Sequence, residues 1–296
     1  MQGRIETVTT EDKYILHGMV CEPEVAAATG TWVVHVHGSY GNFYENFFLT
    51  PIADAYMKAG VAFVSINTRG REYYADFKTR EEDKYSSRRI GGIHEIFREC
   101  LRDIRPWIQN AKDPGAKLVV LEGHSLGAMK VAYYAWHNPE EVAALILMSP
   151  PDSIGLQRAD VGGKYDEYLS LAIEVSATKP DELMPSAAYY DPITSSAYCG
   201  LFESPEEAGM FTYGDLDLMR RSALGHVSCP ILATFATQDE AVVHDLETCK
   251  KAIAACVPIP EQLDVEIIEG ANHSYHFRED ALSQILAQWV LAKVRA

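Results

Sequence analysis

The sequence predicts an α/β fold, a mainly parallel central sheet with flanking helices, and three observations carry that expectation. Short apolar runs alternate with longer stretches of helical periodicity over most of the chain, the pattern left by crossover connections between parallel strands. Near the middle, Leu118-Val119-Val120-Leu121-Glu122 leads through Gly123-His124-Ser125-Leu126-Gly127 into a helix-like stretch from Ala128 to Trp136. A serine therefore sits at the apex of a strand, a tight turn and a helix. The chain has 296 residues, 47% of them hydrophobic, enough to bury a large core without a second independent domain.

The elements run in order along the chain. Residues 5–9 and 14–20 read as an opening antiparallel pair, and 32–37 as the first buried strand. A helix over 45–59 and a strand over 61–66 come next. Across 92–109, Ile93, Ile96, Phe97, Leu101, Ile104 and Ile108 fall at near-helical spacing and predict a helix with one buried face. Strand 117–122, helix 125–137 and strand 143–148 continue the alternation. It resumes with strand 231–236 behind Cys229-Pro230, helix 246–256, strand 265–268 and a closing helix over 280–294. Between them, residues 150–227 break the pattern. They carry Gly162-Gly163, several prolines, many aromatic residues and helical pieces at 166–173 and 181–184. The expected organisation is a core of residues 1–149 and 228–296 with an insertion at 150–227.

The glycines around Ser125 have a physical purpose. A tight strand-to-helix turn holds the serine backbone in a strained conformation, and side chains two residues to either side would collide with neighbouring backbone. The turn keeps the hydroxyl clear of the sheet and sets the amide of Leu126 at a helix N-terminus, which favours an oxyanion. A serine nucleophile needs a base and a group to orient it. Asp239 follows the strand at 231–236, and His273 follows the strand at 265–268 within Glu269-Gly270-Ala271-Asn272-His273. The order Ser125, Asp239, His273, each just past a strand, is the spacing of a nucleophile, an acid and a base on an α/β sheet. Asp152, past the strand at 143–148, is the alternative acid, and His276 the alternative base.

The first buried strand ends in His37-Gly38-Ser39-Tyr40-Gly41-Asn42. With this element the sequence resembles the α/β-hydrolase superfamily of serine hydrolases over nearly its whole length. The resemblance implies that the amides of Ser39 and Leu126 form an oxyanion hole and that the insertion at 150–227 is a lid over the site. Asn67-Thr68-Arg69-Gly70 stands where relatives often carry Asp-x-Arg-Gly; Asn67 departs from that pattern at a turn that is usually structural. The stretches 37–46 and 91–97 also look like a branch of esterases acting on hydroxamate-siderophore esters and natural-product lactones. The activity this resemblance implies is that of a serine esterase acting on a small carboxylic ester or lactone, with no cofactor and no metal. Tyr40, Tyr189, Tyr190 and Phe211 are the expected substrate-binding side chains. A C-C bond hydrolase or acyltransferase using the same triad, or a non-catalytic binding module on this fold, are the competing readings.

Charge and composition agree with a small or neutral substrate. There are 26 Lys and Arg against 42 Asp and Glu, a formal charge of -16, which disfavours nucleic acid and anionic membranes. The N-terminus has no signal-peptide core, and no run approaches the roughly 20 apolar residues of a membrane span, so a cytoplasmic location is expected. The six cysteines are scattered without a C-x-x-C pair, which suits free thiols rather than disulfides or a zinc site. His35 and His37 share a strand face, and with His273 and His276 they raise a metallohydrolase reading that no Asp-His pair nearby completes. His37 is expected to be a structural hydrogen-bonder beneath the oxyanion loop, and His124 to pack beside the turn. Self-association of the chain is left open.

Overall fold

The computed structural model describes residues 2–24, 28–81 and 83–294. Strands β1 (Arg4–Thr9), β2 (Ile15–Cys21) and β3 (Thr31–Val36) are followed by helix α1 (Leu49–Lys58) and strand β4 (Ala62–Ile66). A hairpin, β5 (Ala75–Glu81) and β6 (Lys84–Ile90), precedes α2 (Cys100–Lys112), β7 (Leu118–His124), α3 (Leu126–His137) and β8 (Ala144–Met148). Then come α4 (Ser153–Val161), α5 (Tyr165–Ser176), α6 (Ser195–Phe202), α7 (Pro205–Ala208) and α8 (Leu216–Arg221). Strand β9 (Ile231–Gln238), α9 (Leu246–Cys256), β10 (Leu263–Asn272) and α10 (Glu279–Lys293) complete the chain.

Eight strands form one sheet in the order β1-β2-β4-β3-β7-β8-β9-β10. Only β1 and β2 run antiparallel to their neighbours; β4, β3, β7, β8, β9 and β10 are parallel. Every residue of β3, β4 and β8 is buried, because helices cover both faces of the sheet. The two-residue side-chain period divides these strands between two cores. Val34, Val36, Leu121, Leu145 and Leu147 pack with Ile104 and Trp107 of α2 and Met129 of α3. Val33, Val120, Ile146 and Met148 pack on the opposite face with Ile52 of α1 and Leu286 of α10.

Residues 150–227 add no strand to the main sheet and gather a third cluster of their own, including Tyr165, Tyr168, Tyr198 and Phe202. The helical piece expected at 166–173 lies inside α5. The one at 181–184 is not helical: Leu183 instead forms an isolated bridge with Thr194. The helix expected over 92–109 is also shorter, since Gly91 at φ 121° turns the chain and regular helix begins only at Cys100. Ile93 and Phe97 are still buried, held by short 3-10 turns ahead of α2. The β5–β6 hairpin was not expected from the sequence.

Candidate functional site

Ser125 caps α3 with φ 56° and ψ -126°, a conformation that costs energy for a residue with a Cβ and that the surrounding glycines make possible. A Cβ on Gly127 would lie 2.1 Å from the carbonyl oxygen of Val36, and one on Gly123 would lie 2.2 Å from that of Gly127. The amide of Ser125 donates to the Met148 carbonyl at 2.9 Å, which fixes the turn to the end of β8. Gly38 approaches from the end of β3, where a Cβ would come within 2.9 Å of the Ser125 Cβ. The Gly38-Ser39 peptide therefore lies against the serine, and Leu126 follows it at the head of α3, where helix amides have no intrahelical partner.

The parallel pairing of β9 with β10 brings Asp239 and His273 together. Gln238 pairs with Asn272 past an irregularity in β10, so the next residues, Asp239 and His273, leave the sheet side by side. His273 Nδ1 lies 2.7 Å from Asp239 Oδ1, which also accepts the Ala241 amide at 2.9 Å. Burial pushes the Asp239 carboxyl up, but the hydrogen bond and charge of His273 and the Ala241 amide outweigh it and hold the group below its ordinary value. The His273 amide donates to Glu240 at 3.2 Å. His124 lies beside His273: its Nε2 is 2.8 Å from the His273 carbonyl oxygen, and the ring centroids are 4.9 Å apart. Burial, and then the neighbouring His273, push the His124 pKa down to about 3. It is a neutral donor to that carbonyl.

The two alternatives lie elsewhere. Asp152 caps α4 by accepting the Gly155 amide at 2.8 Å and sits 3.6 Å from His244 Nε2, not beside His273. His276 meets the Asn272 side chain at 3.2 Å and packs on Phe47.

Beneath the loop after β3, His37 and His35 are spent on structure. His37 Nδ1 lies 2.7 Å from the Gly38 carbonyl oxygen, and its Nε2 accepts the Thr68 amide at 3.0 Å. Burial and the charge of Lys130 push its pKa well down, so the ring is neutral, with the proton on Nδ1. His35 is fully buried against Glu122 at 2.7 Å, and Tyr56 donates to the other Glu122 oxygen at 2.7 Å. Among the described residues no three His, Cys, Asp or Glu side chains gather as a metal site. The turn at 67–70 is structural: Asn67 Oδ1 accepts the Phe43 amide at 3.0 Å, and Arg69 binds Asp12, Glu99 and Asp103 at 2.9, 2.8 and 2.8 Å.

Ser39, Tyr40, Ser125, Leu126 and His273 line one cavity of about 480 Å³. Tyr189 and Tyr190 join them from the 150–227 segment, with ring centroids 4.3 Å apart. Tyr40, at φ 54°, stacks on Tyr73 at 4.3 Å. Phe211 does not belong there. It is 1% exposed in the core that covers α2 and α3, because an aromatic side chain in an inserted segment packs under the insertion as readily as it faces a cavity. The cavity also takes Gln157, Asp160 and Glu240, which sequence reasoning passed over. Glu240 had a usable signal in its place beside Asp239. The pair of buried charges Lys130 and Glu95, 2.7 Å apart, had one too, since a lysine inside the apolar run of α3 demands a buried partner.

The sequence pattern of the alpha/beta hydrolase family matches residues 33–285. No curated protein sequence matches the chain significantly. Among solved structures, Est1E from Butyrivibrio proteoclasticus with ferulic acid bound has a TM-score of 0.68 at 16% identity, over 98% of this chain and 99% of that one. XC6422 from Xanthomonas campestris, an α/β serine hydrolase without a lid, gives 0.59 at 15% identity, over 100% and 97%. The carboxylesterase CesB of Bacillus subtilis gives 0.55 at 15% identity, over 99% and 92%. These likenesses are of fold. With its family pattern matched from β3 into α10, the chain belongs to the alpha/beta hydrolase family.

Proposed function

We propose that the protein is a serine hydrolase that cleaves a carboxylic ester or lactone through an acyl-enzyme on Ser125. The observation that carries this reading is the 2.7 Å contact between His273 Nδ1 and Asp239, made beside the same cavity that the strained Ser125 lines. Asp239 fixes the proton of the resting imidazole on Nδ1, which leaves Nε2 free to act as a base. As Ser125 Oγ bonds to the acyl carbon, His273 takes its proton, and the carbonyl oxygen becomes an oxyanion held by the amides of Ser39 and Leu126. Collapse breaks the bond to the alcohol oxygen, and His273 hands the proton to that leaving group. Water then repeats the attack with His273 as base, releasing the acid and restoring Ser125. Each donor in such a hole is worth about 3 kcal/mol in other enzymes.

Residues 150–227 act as a lid in this reading, with Tyr189 and Tyr190 closing over a small-molecule substrate. The esterase names among the similar folds support an ester as the substrate. Covalent labelling by a fluorophosphonate, followed by turnover of esters and lactones of graded size, tests the proposal. A chain that takes no label and turns over none of them is not a serine hydrolase.

A further inference from the structure

The cavity beside Ser125 is lined on one side of the charge balance only. Asp160 and Glu240 contribute carboxylates, and among the described residues no Lys or Arg lines it. Gln157 lines it as well, at 2% exposure. Its Nε2 is committed to the Ala188 carbonyl and the Tyr198 hydroxyl, at 2.5 and 3.0 Å, and its Oε1 has no partner. The amide can therefore offer a ligand only an acceptor, and a buried carbonyl left without a donor is costly unless something fills that role. Tyr40, Tyr189 and Tyr190 add aromatic faces, and Tyr190 is 61% exposed at the mouth.

Acceptors, carboxylates and aromatic rings without a competing cation form a recognition set for a positively charged donor. The overall charge of -16 acts in the same direction by drawing cations toward the surface. Resting on the hydrolase reading above, we infer that the preferred substrate is an ester carrying a protonated amine, its ammonium received at the cavity mouth by Asp160 and Tyr190, with Gln157 Oε1 as the further acceptor. An ammonium with N–H groups satisfies Gln157, whereas a quaternary ammonium cannot donate to it. An anionic ester would meet two carboxylates and no counter-charge.

The test is a series of esters sharing one reacting carbonyl and differing only in a terminal group: primary ammonium, trimethylammonium, an uncharged isostere and a carboxylate. The expected order of kcat/KM is primary ammonium, trimethylammonium, uncharged, carboxylate, with about tenfold between ammonium and uncharged at low salt, shrinking as salt rises. Asp160→Asn and Tyr190→Leu should each lower the ammonium-to-uncharged ratio several-fold. Hydrolysis of the uncharged ester at a rate equal to or above that of the ammonium ester would overturn the amine inference alone. A ratio that neither salt nor either substitution moves would do the same. Failure to turn over any ester, with no labelling of Ser125, would overturn the hydrolase reading and this inference together.

Discussion

Lys130 Nζ lies 2.7 Å from Glu95 Oε1, with the lysine side chain fully buried and the glutamate 6% exposed. This pair sits under the loop that carries Ser39. Lys130 also reaches Thr68 Oγ1 at 3.4 Å, and Thr68 in turn contacts His37. Removing one member leaves the other as an uncompensated buried charge, so Lys130→Met should cost about 3–5 kcal/mol of stability. The double variant Lys130→Met/Glu95→Leu should recover a large part of that loss. Urea denaturation of the three proteins measures both, and a single variant as stable as the parent would contradict the pairing.

The glycines of the serine turn give a second expectation. A Cβ at residue 127 meets two backbone carbonyl oxygens, at 2.1 and 2.8 Å, neither of which can move without shifting β3. Gly127→Ala should therefore destabilise the fold by about 3 kcal/mol or more. Gly163→Ala is the control, since nothing lies within 4 Å of the added Cβ, and its melting temperature should stay close to the parent's. Equal melting for the two variants would refute the packing described for the turn.

Much of this was legible beforehand for a simple physical reason. Buried parallel strands are apolar runs, and the Gly-x-Ser-x-Gly turn encodes a steric requirement that only glycine meets. The β5–β6 hairpin escaped because its exposed side chains, including Asp76, Lys78, Arg88 and Arg89, give it the composition of a solvated linker. Phe211 was misplaced because composition marks an aromatic residue as apolar without saying which wall it joins. Gln157 and Asp160 were invisible for a similar reason: their meaning depends on a cavity formed only when α4 folds back over the end of the sheet. Chain order favours Asp239 over Asp152 as the acid, and the strand pairing of Gln238 with Asn272 is what sets Asp239 beside His273.

The two aspartates should separate cleanly by mutation. Asp239→Asn should keep the fold but lower kcat by about 10⁴-fold, the loss that a wrong imidazole tautomer causes in triad enzymes. Asp152→Asn should leave turnover within a few-fold, since Asn can still cap α4. Steady-state kinetics on one activated ester decides between them, and the opposite ranking would move the acid to Asp152. Likewise His273→Ala should abolish turnover and His276→Ala should not.

Their effects on stability should have opposite pH dependence. Asp239 is held below its ordinary value in the folded protein, so it contributes stability above the usual carboxylate range that is lost as pH falls through its lowered pKa. The stability difference between the parent and Asp239→Asn should close on acidification. Burial raises the Asp152 pKa, so its ionisation weakens the fold as pH rises through that raised value. Asp152→Asn should remove that penalty and gain on the parent toward neutral pH. Denaturation curves across the acid range check both signs.

The central claim is that Ser125 is an activated nucleophile, and the most direct measurement is mass spectrometry of the intact protein after a fluorophosphonate. One adduct per chain, mapped to Ser125, is expected for the parent. Ser125→Ala should take no label and lose at least about 10³-fold in turnover while melting normally. His273→Ala should label far more slowly. Labelling at another residue, or near-normal turnover by a folded, pure Ser125→Ala protein, would contradict the account.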